Sequence, residues 1–424
     1  MRAHEAAATR AALANAWAAL PTKLRLPTQF LGRHYAGCAA TIGTMPRCDF
    51  TCSGCYLGKN ANRVEPTEIE AIKEQMRQIR AWLGPGGNLQ LTDGEVTLRP
   101  EDELIELLVH ARSIGLVPML MTHGETFRRR PGLLERLMVE GGLTEVSIHV
   151  DSTMRGRRDG FARTGTEVGL HGLRDEFAAM IRRARRRTGL RLDAASTVTV
   201  TRRNIDEVPD IVRWFLRNAD AFKMVSFQPL AAVGRTDPAL EGVEPDELWE
   251  RIALGADNRE ILRGEGFLGH PACSRFVQGL VSRRGERISL EPLYRGDDAR
   301  EMKLLAALLD RLGGTSFRLH GRVESLRRAA WALARHAPLL ARHAIPYLWR
   351  LARRTRTLRP RYFCIVSHHF MSAAEAATEI GRERLDACAF RVPIDGRLEP
   401  MCAVNALGLR DTYYRGATPG ERAA

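Results

Sequence analysis

Lysine is nearly missing from this 424-residue chain. Lys23, Lys59, Lys73, Lys223 and Lys303 are the whole set, and the rest of its 64 basic residues are arginine. A net charge of +14 with abundant alanine reads first as a compositional bias, and no nucleic-acid recognition motif accompanies it. No run of 18 apolar residues exists, which excludes a helix spanning a bilayer. The Ala-rich N-terminal stretch carries Glu5 and Arg10 and lacks the unbroken apolar core of a secretion signal, so the expected address is the cytoplasm. Thiols stay reduced there, and the eight cysteines are expected as ligands, nucleophiles or core residues rather than disulfides.

The positive charge is concentrated. Arg318 to Arg361 holds twelve arginines against the single acid Glu324, which is +11 of the total +14. Trp331, Leu333, Leu339, Leu340, Ile345, Tyr347, Leu348 and Trp349 interleave with them, and Pro338 and Pro346 divide the stretch. Such a segment suits an interfacial element lying on anionic lipid, peripheral to the inner face of the cell membrane. A basic surface packed on the rest of the protein is the bland reading, and a nucleic-acid surface is the weakest of the three.

From about residue 39 to 230, short apolar runs alternate with amphipathic helical stretches, as in parallel βα units. Strands are expected at Ala39–Met45, Asn88–Thr92, Val117–Thr122, Glu145–Val150, Ala195–Thr201 and Phe222–Gln228. Helices are expected to open at Pro66, Pro100 and Pro131, and to cover Leu173–Arg187 and Ile205–Asn218. Further helices are expected at Pro245–Leu254 and Ala299–Leu312. The expected division is an N-terminal helical extension (1–37), a barrel-like domain (38–240) and a connecting helical region with Cys273 (241–315). An Arg-rich segment (316–361) and a C-terminal cysteine-bearing region (362–424) follow.

Cys48, Cys52 and Cys55 are spaced by three and then two residues after the first strand. A tight loop of this kind supplies three thiolates to a [4Fe–4S] cluster and leaves one iron open. Zinc would prefer a second Cys or His pair, and His34 and His123 are isolated in sequence. The loop resembles the Cys-x3-Cys-x2-Cys hallmark of the radical S-adenosylmethionine (radical SAM) superfamily. That resemblance implies a partial (β/α)6 barrel with a C-terminal α+β extension. It also implies SAM chelated to the open iron and reductive cleavage to a 5′-deoxyadenosyl radical that abstracts hydrogen from an unactivated carbon. Many members carry an aromatic residue before the third cysteine, where this chain has Gly54, with Tyr56 after.

Asp93-Gly94-Glu95, at the end of the second strand, resembles the family's Gly-Gly-Glu motif with Asp93 in the first glycine's place. The resemblance implies that this edge receives the methionyl ammonium of SAM. Ser147, His149 and Asp151 alternate along the fourth strand, and in a barrel that side faces the lumen. The family places polar contacts to SAM near Ser147, Asp151 and Asn204. Phe227, Gln228 and Pro229, closing the sixth strand, are expected beside the adenine.

Asp395-Gly396 is a strong two-residue hairpin signal. Counting outward pairs Ile394 with Arg397, Val392 with Glu399 and Ala389 with Cys402. Cys388 then lies diagonal to Cys402, and with Cys273 and Cys364 these cysteines would hold an auxiliary [4Fe–4S] cluster; buried core cysteines are the alternative. Cys38 is left over as a core residue. The tail from Ser367-His368-His369 through Cys388, Pro400-Met401-Cys402 and Tyr414-Arg415 resembles radical SAM proteins related to archaeal tetraether lipid synthase. That likeness implies a lipid-like substrate with carbon–carbon coupling, and an electron donor such as flavodoxin or ferredoxin. The competing expectations are a peptide- or natural-product-modifying radical SAM enzyme, and a non-catalytic iron–sulfur electron carrier. The carrier has no need of the Asp93-Gly94-Glu95 edge.

Overall fold

The computed structural model describes residues 3–314, 345–355 and 360–417, with Arg327, Ala330, Trp331, Ala334 and Ala337 between them. Six parallel strands lie side by side in chain order: β1 (Cys38–Ala40), β2 (Asn88–Leu91), β3 (Val117–Thr122), β4 (Glu145–His149), β5 (Asp193–Val200) and β6 (Phe222–Pro229). Helices return the chain between them, and the sheet curls into the expected partial (β/α)6 barrel. One face of each strand is apolar and meets the helices. Leu89 and Leu91, Val146 and Ile148, Val198 and Val200, and Val225 and Phe227 all join one core with Ile72, Met76 and Ile79 of the helix Ile69–Leu83. Full burial of such side chains is worth roughly 1.5–3 kcal/mol each.

The alternate positions face the lumen and are polar where the site forms. Gln90, Ser147, His149, Thr197, Thr199 and Gln228 all border one cavity. The period of two thus divides each strand between core and chemistry.

Two local expectations shift. The first strand ends at Ala40, short of Met45, because Gly43 turns at φ +78° and Thr41 and Thr44 join their hydroxyls at 2.6 Å. The helix expected at Pro66 begins at Ile69, since the Thr67 N–H is drawn to the Gly43 carbonyl at 2.8 Å and holds that stretch extended.

Beyond residue 240 the chain adds strands that the sequence reading did not contain. β7 (Glu265–Phe267), β8 (Ser274–Arg284) and β9 (Arg287–Pro292) are antiparallel neighbours. β10 (Arg361–His368) slots between β8 and β6, parallel to β6. At the other edge β11 (Phe390–Ile394) pairs parallel with β1, and β12 (Arg397–Pro400) folds back on it. The C-terminal residues therefore extend the barrel sheet at both edges.

The hairpin turn has Asp395 and Gly396 at φ +46° and +78°, and pairs Ile394 with Arg397 and Val392 with Glu399 as expected. The pairing of Ala389 with Cys402 does not form. Pro400 ends the ribbon and caps a helix, Met401–Ala406, which carries Cys402. In the arginine-rich stretch a helix spans Ile345–Thr355 with Ile345, Leu348 and Trp349 exposed; most of residues 315–344 lies outside the described residues. No described helix is long and apolar enough to cross a membrane.

Candidate active site

Cys48, Cys52 and Cys55 are each half-buried and border a cavity of about 200 Å³ at the C-terminal ends of the parallel strands. In parallel α/β sheets this is the end where loops converge on a ligand. The loop is stitched down by its backbone. The Thr51 N–H donates to the Arg155 carbonyl at 2.8 Å, Ser53 to Thr153 at 2.9 Å, and Arg235 to Cys55 at 3.0 Å. Cys48 Sγ accepts the Phe50 N–H at 3.4 Å.

Burial pushes the Cys48 thiol up, and burial together with the neighbouring Cys55 pushes Cys52 to about 12. Such thiols keep their protons until a cationic centre displaces them. Three soft donors converging on one side of a cavity suit an iron–sulfur cluster with an open position.

His123, isolated in sequence, is carried by the fold to Cys48 and Asp49, with ligand atoms within 4.8 Å of one another. Its ring is already committed. Nδ1 accepts the Glu125 N–H at 3.1 Å, which assigns the proton to Nε2, and Nε2 donates to Asp49 Oδ1 at 2.8 Å. His123 therefore acts as a prop for the cysteine loop.

Asp93, Gly94 and Glu95 border the same cavity as the cysteines. A Cβ on Gly94 would collide with the Pro46 and Arg47 carbonyls, so only glycine lets this edge meet the segment leading into the loop. The Gly94 and Glu95 N–H groups donate to Met45 and Arg47 carbonyls, both at 2.8 Å. Glu95 is fully buried and already supplied with donors. Oε1 accepts from Thr97 N at 3.1 Å, Thr97 Oγ1 at 2.5 Å and Thr122 Oγ1 at 2.6 Å, while Oε2 accepts the His123 N–H at 2.8 Å. The carboxylate fastens the end of β2 to that of β3 besides presenting an edge to the cavity. The Asp93 carboxylate turns away to Gly43 N and to Arg410, a residue the sequence reading did not single out.

The fourth strand distributes its roles differently from the expectation. Ser147 and His149 border the cavity, whereas Asp151 is buried beneath it. His149 Nε2 lies 2.6 Å from Asp151 Oδ2, and Asp151 also accepts from Thr153 N and Thr199 N, each at 2.8 Å. Although burial opposes its charge, His149 and these donors hold the Asp151 carboxyl well below the usual range. Asp151 orients the imidazole that faces the cavity. Asn204 is also buried outside the lining, where its amide donates to Glu167 Oε1 at 2.8 Å and the Thr199 carbonyl at 3.0 Å. Gln228 and Pro229 border the cavity as expected, whereas Phe227 alternates to the other face and is buried in the core. At Gly54 the space an aromatic neighbour would take is filled by Leu230, whose Cδ1 would lie 2.7 Å from an added Cβ.

Of the distal cysteines, Cys273, Cys388 and Cys402 lie close enough to perturb one another electrostatically. Arg384 Nε donates to Cys273 Sγ at 3.1 Å. Cys38, read as a leftover, stands beside Cys388, its own N–H bonded to the Ala389 carbonyl at 2.7 Å. Cys364 goes elsewhere, into an apolar cluster with Phe30, Phe276 and Tyr294. It pairs with Gln278, five residues along from Cys273, and at ~3.3 Å per strand residue it is too distant to share a cluster.

Residues 42–215 match the family model of the Radical SAM superfamily. Among curated relatives, 7,8-dihydro-6-hydroxymethylpterin dimethyltransferase of Methanocaldococcus jannaschii is 24% identical over 199 residues, 47% of this chain and 37% of that protein. GTP 3′,8-cyclase of Marinobacter nauticus is 25% identical over 212 residues, half of this chain and 60% of that protein. The chain thus spans less than two thirds of the length of either. Among solved structures, Streptococcus suis SuiB bound to S-adenosylmethionine aligns at a TM-score of 0.38 and 13% identity, covering 50% of this chain and 45% of SuiB.

Proposed function

We propose that this protein is a radical SAM enzyme. The observation that carries the reading is the convergence of Cys48, Cys52 and Cys55 with the Asp93–Glu95 edge on one cavity, within the stretch that matches that superfamily. The three thiols would hold a [4Fe–4S] cluster, which together with SAM supplies a 5′-deoxyadenosyl radical able to take hydrogen from an unactivated carbon. Glu95 presents negative charge to a methionyl ammonium, and the Gly94 approach keeps that edge close to the loop. Ser147, His149, Thr199 and Gln228 offer polar contacts along the cavity, while Met121, Met154 and Leu230 would present apolar surface to the reacting carbon. Protein reconstituted anaerobically with iron and sulfide should make 5′-deoxyadenosine from SAM with dithionite, and Cys52→Ala should make none. Continued production by Cys52→Ala would remove the assignment.

Cys273, Cys388 and Cys402 are the thiols that would hold an auxiliary cluster. Cys388 Sγ donates to the Phe390 carbonyl at 3.1 Å and Cys402 follows Met401, and since Phe390 and Met401 border the cavity this supports an electron-transfer role beside the substrate. For the substrate, a lipid-like chain is favoured by the exposed Ile345, Leu348 and Trp349 on a helix rich in arginine, with Arg353 stacked 3.3 Å over Trp349. That helix suits peripheral contact with anionic lipid. The full chain should then sediment with anionic vesicles at low salt and be released as salt rises. Indifference to vesicles would move the substrate toward peptides or small natural products. A flavodoxin or ferredoxin would supply the electron.

A further inference from the structure

Asp93 takes a backbone conformation at φ +139°, a region that glycine enters freely and other residues at a cost. Its side chain is buried as well, so the position carries both strain and a desolvated charge. Glycine there would avoid both. The offset comes from a residue 317 positions later: Arg410, itself 2% exposed, forms a buried ion pair with the Asp93 carboxylate.

Arg410 belongs to the helix Leu409–Ala417 and touches more than Asp93. Its Nε donates to Asn405 Oδ1 at 3.1 Å and Nη1 to the Tyr414 hydroxyl at 3.3 Å. Its guanidinium lies 4.9 Å over the ring of Tyr56, the residue after the third cysteine of the loop. The Tyr56 hydroxyl in turn donates to the Asp93 carbonyl at 2.5 Å. Tyr56, Asp93, Met401 and Asn405 all border the cavity, and Arg410 stands behind them. One cation thus joins the exit of the cysteine loop, the end of β2 and the C-terminal helices.

We propose that Arg410 is a positioning residue of the SAM site: acting through Asp93, it holds the Asp93–Glu95 edge against Tyr56 in the placement that receives the amino-acid end of SAM. This rests on the radical SAM reading above. A buried ion pair seldom adds net stability over an apolar substitute, but it fixes the register of the groups it joins. Here the groups joined, Tyr56 and Asp93, both border the cavity. The C-terminal helix is therefore part of the site that the barrel domain alone leaves unfinished.

The test uses full-length, anaerobically reconstituted protein: wild type, Arg410→Met, Asp93→Gly and the double variant. SAM affinity is read by equilibrium dialysis, the SAM-induced change in the reduced cluster's EPR signal alongside it, and iron content and melting temperature as controls. Arg410→Met leaves the Asp93 carboxylate buried and unpaired, so SAM should bind about tenfold or more weakly while the loop keeps its iron. The double variant removes charge and strain together and should recover most of that affinity and the EPR change. Arg410→Met with wild-type affinity, or a folded, iron-loaded double variant no better than Arg410→Met, overturns the proposal. If Arg410→Met does not fold, the double variant against Asp93→Gly decides by the same criterion. Wild-type protein with a full cluster that binds no SAM would instead overturn the radical SAM reading, and the positioning role with it.

Discussion

Phe50, in the middle of the cysteine loop, lies flat against the imidazole of His123, with ring centroids 3.8 Å apart and planes 6° from parallel. His123 Nε2 also reaches Asp49, the residue beside Phe50, at 2.8 Å. The end of β3 thus grips the cysteine loop by two consecutive side chains, one through a ring face and one through a hydrogen bond. Aromatic contacts of this kind add about 0.5–1.5 kcal/mol beyond the area they bury. His123→Ala should therefore lose iron to a chelator faster than wild type, while His123→Phe, which keeps a ring face, should fall between them. Identical release from all three would remove His123 as a support of the loop.

Glu95→Gln tests a carboxylate with two duties. Replacing one oxygen with an NH2 turns an acceptor into a donor among Thr97, Thr122 and the His123 N–H, which are themselves donors. Hydrogen bonds to a charged group are worth about 1.5–3 kcal/mol. The variant should melt lower than wild type even without SAM, and should bind SAM roughly ten- to a hundredfold more weakly. Unchanged melting would mean that the buried network does not support the end of β2.

The distal cysteines separate by iron analysis. Cys364→Ala should retain the iron content of wild type, because its apolar surroundings set it apart from the other three. Cys388→Ala with Cys402→Ala should lose one cluster's worth and keep the cluster on the loop. Loss of iron from Cys364→Ala would contradict the placement of β10, and full iron in the double variant would dismiss the auxiliary cluster.

Asp220 offers a pH test away from the site. Arg182 donates to it twice, at 2.7 and 2.8 Å, and Arg361 of β10 lies 3.1 Å from the same carboxylate. The hydrogen bonds from Arg182 bring its pKa down to about 2, below an unfolded value of about 3.9. A depressed carboxylate stabilises the fold above its unfolded pKa and loses that contribution as pH falls through the folded one. A third of the side chain is exposed, so screening keeps the effect small. Asp220→Asn should unfold at lower urea than wild type at pH 7 and pH 5, with the gap narrowing at pH 3.5. A gap that widened in acid would reverse the sign.

The sequence by itself determined what depends on short spacing. The Cys48–Cys52–Cys55 loop, the Asp93-Gly94-Glu95 edge one βα unit later, the period-two strands and the Asp395-Gly396 turn are all encoded within a few residues. Local sterics and the burial of one strand face suffice to place them. What the tertiary structure alone decided is which distant segments meet. β10 enters the sheet beside β6 more than 130 residues later, which carries Cys364 away from Cys273. His149 faces the cavity while Asp151 sits below it, although alternation put both on one side, because the strand ends at His149 and the chain then turns. Asp93 finds Arg410 across 317 residues. Periodicity reports that a face is buried but not against what, since the partner is chosen by chain closure and packing over the whole molecule.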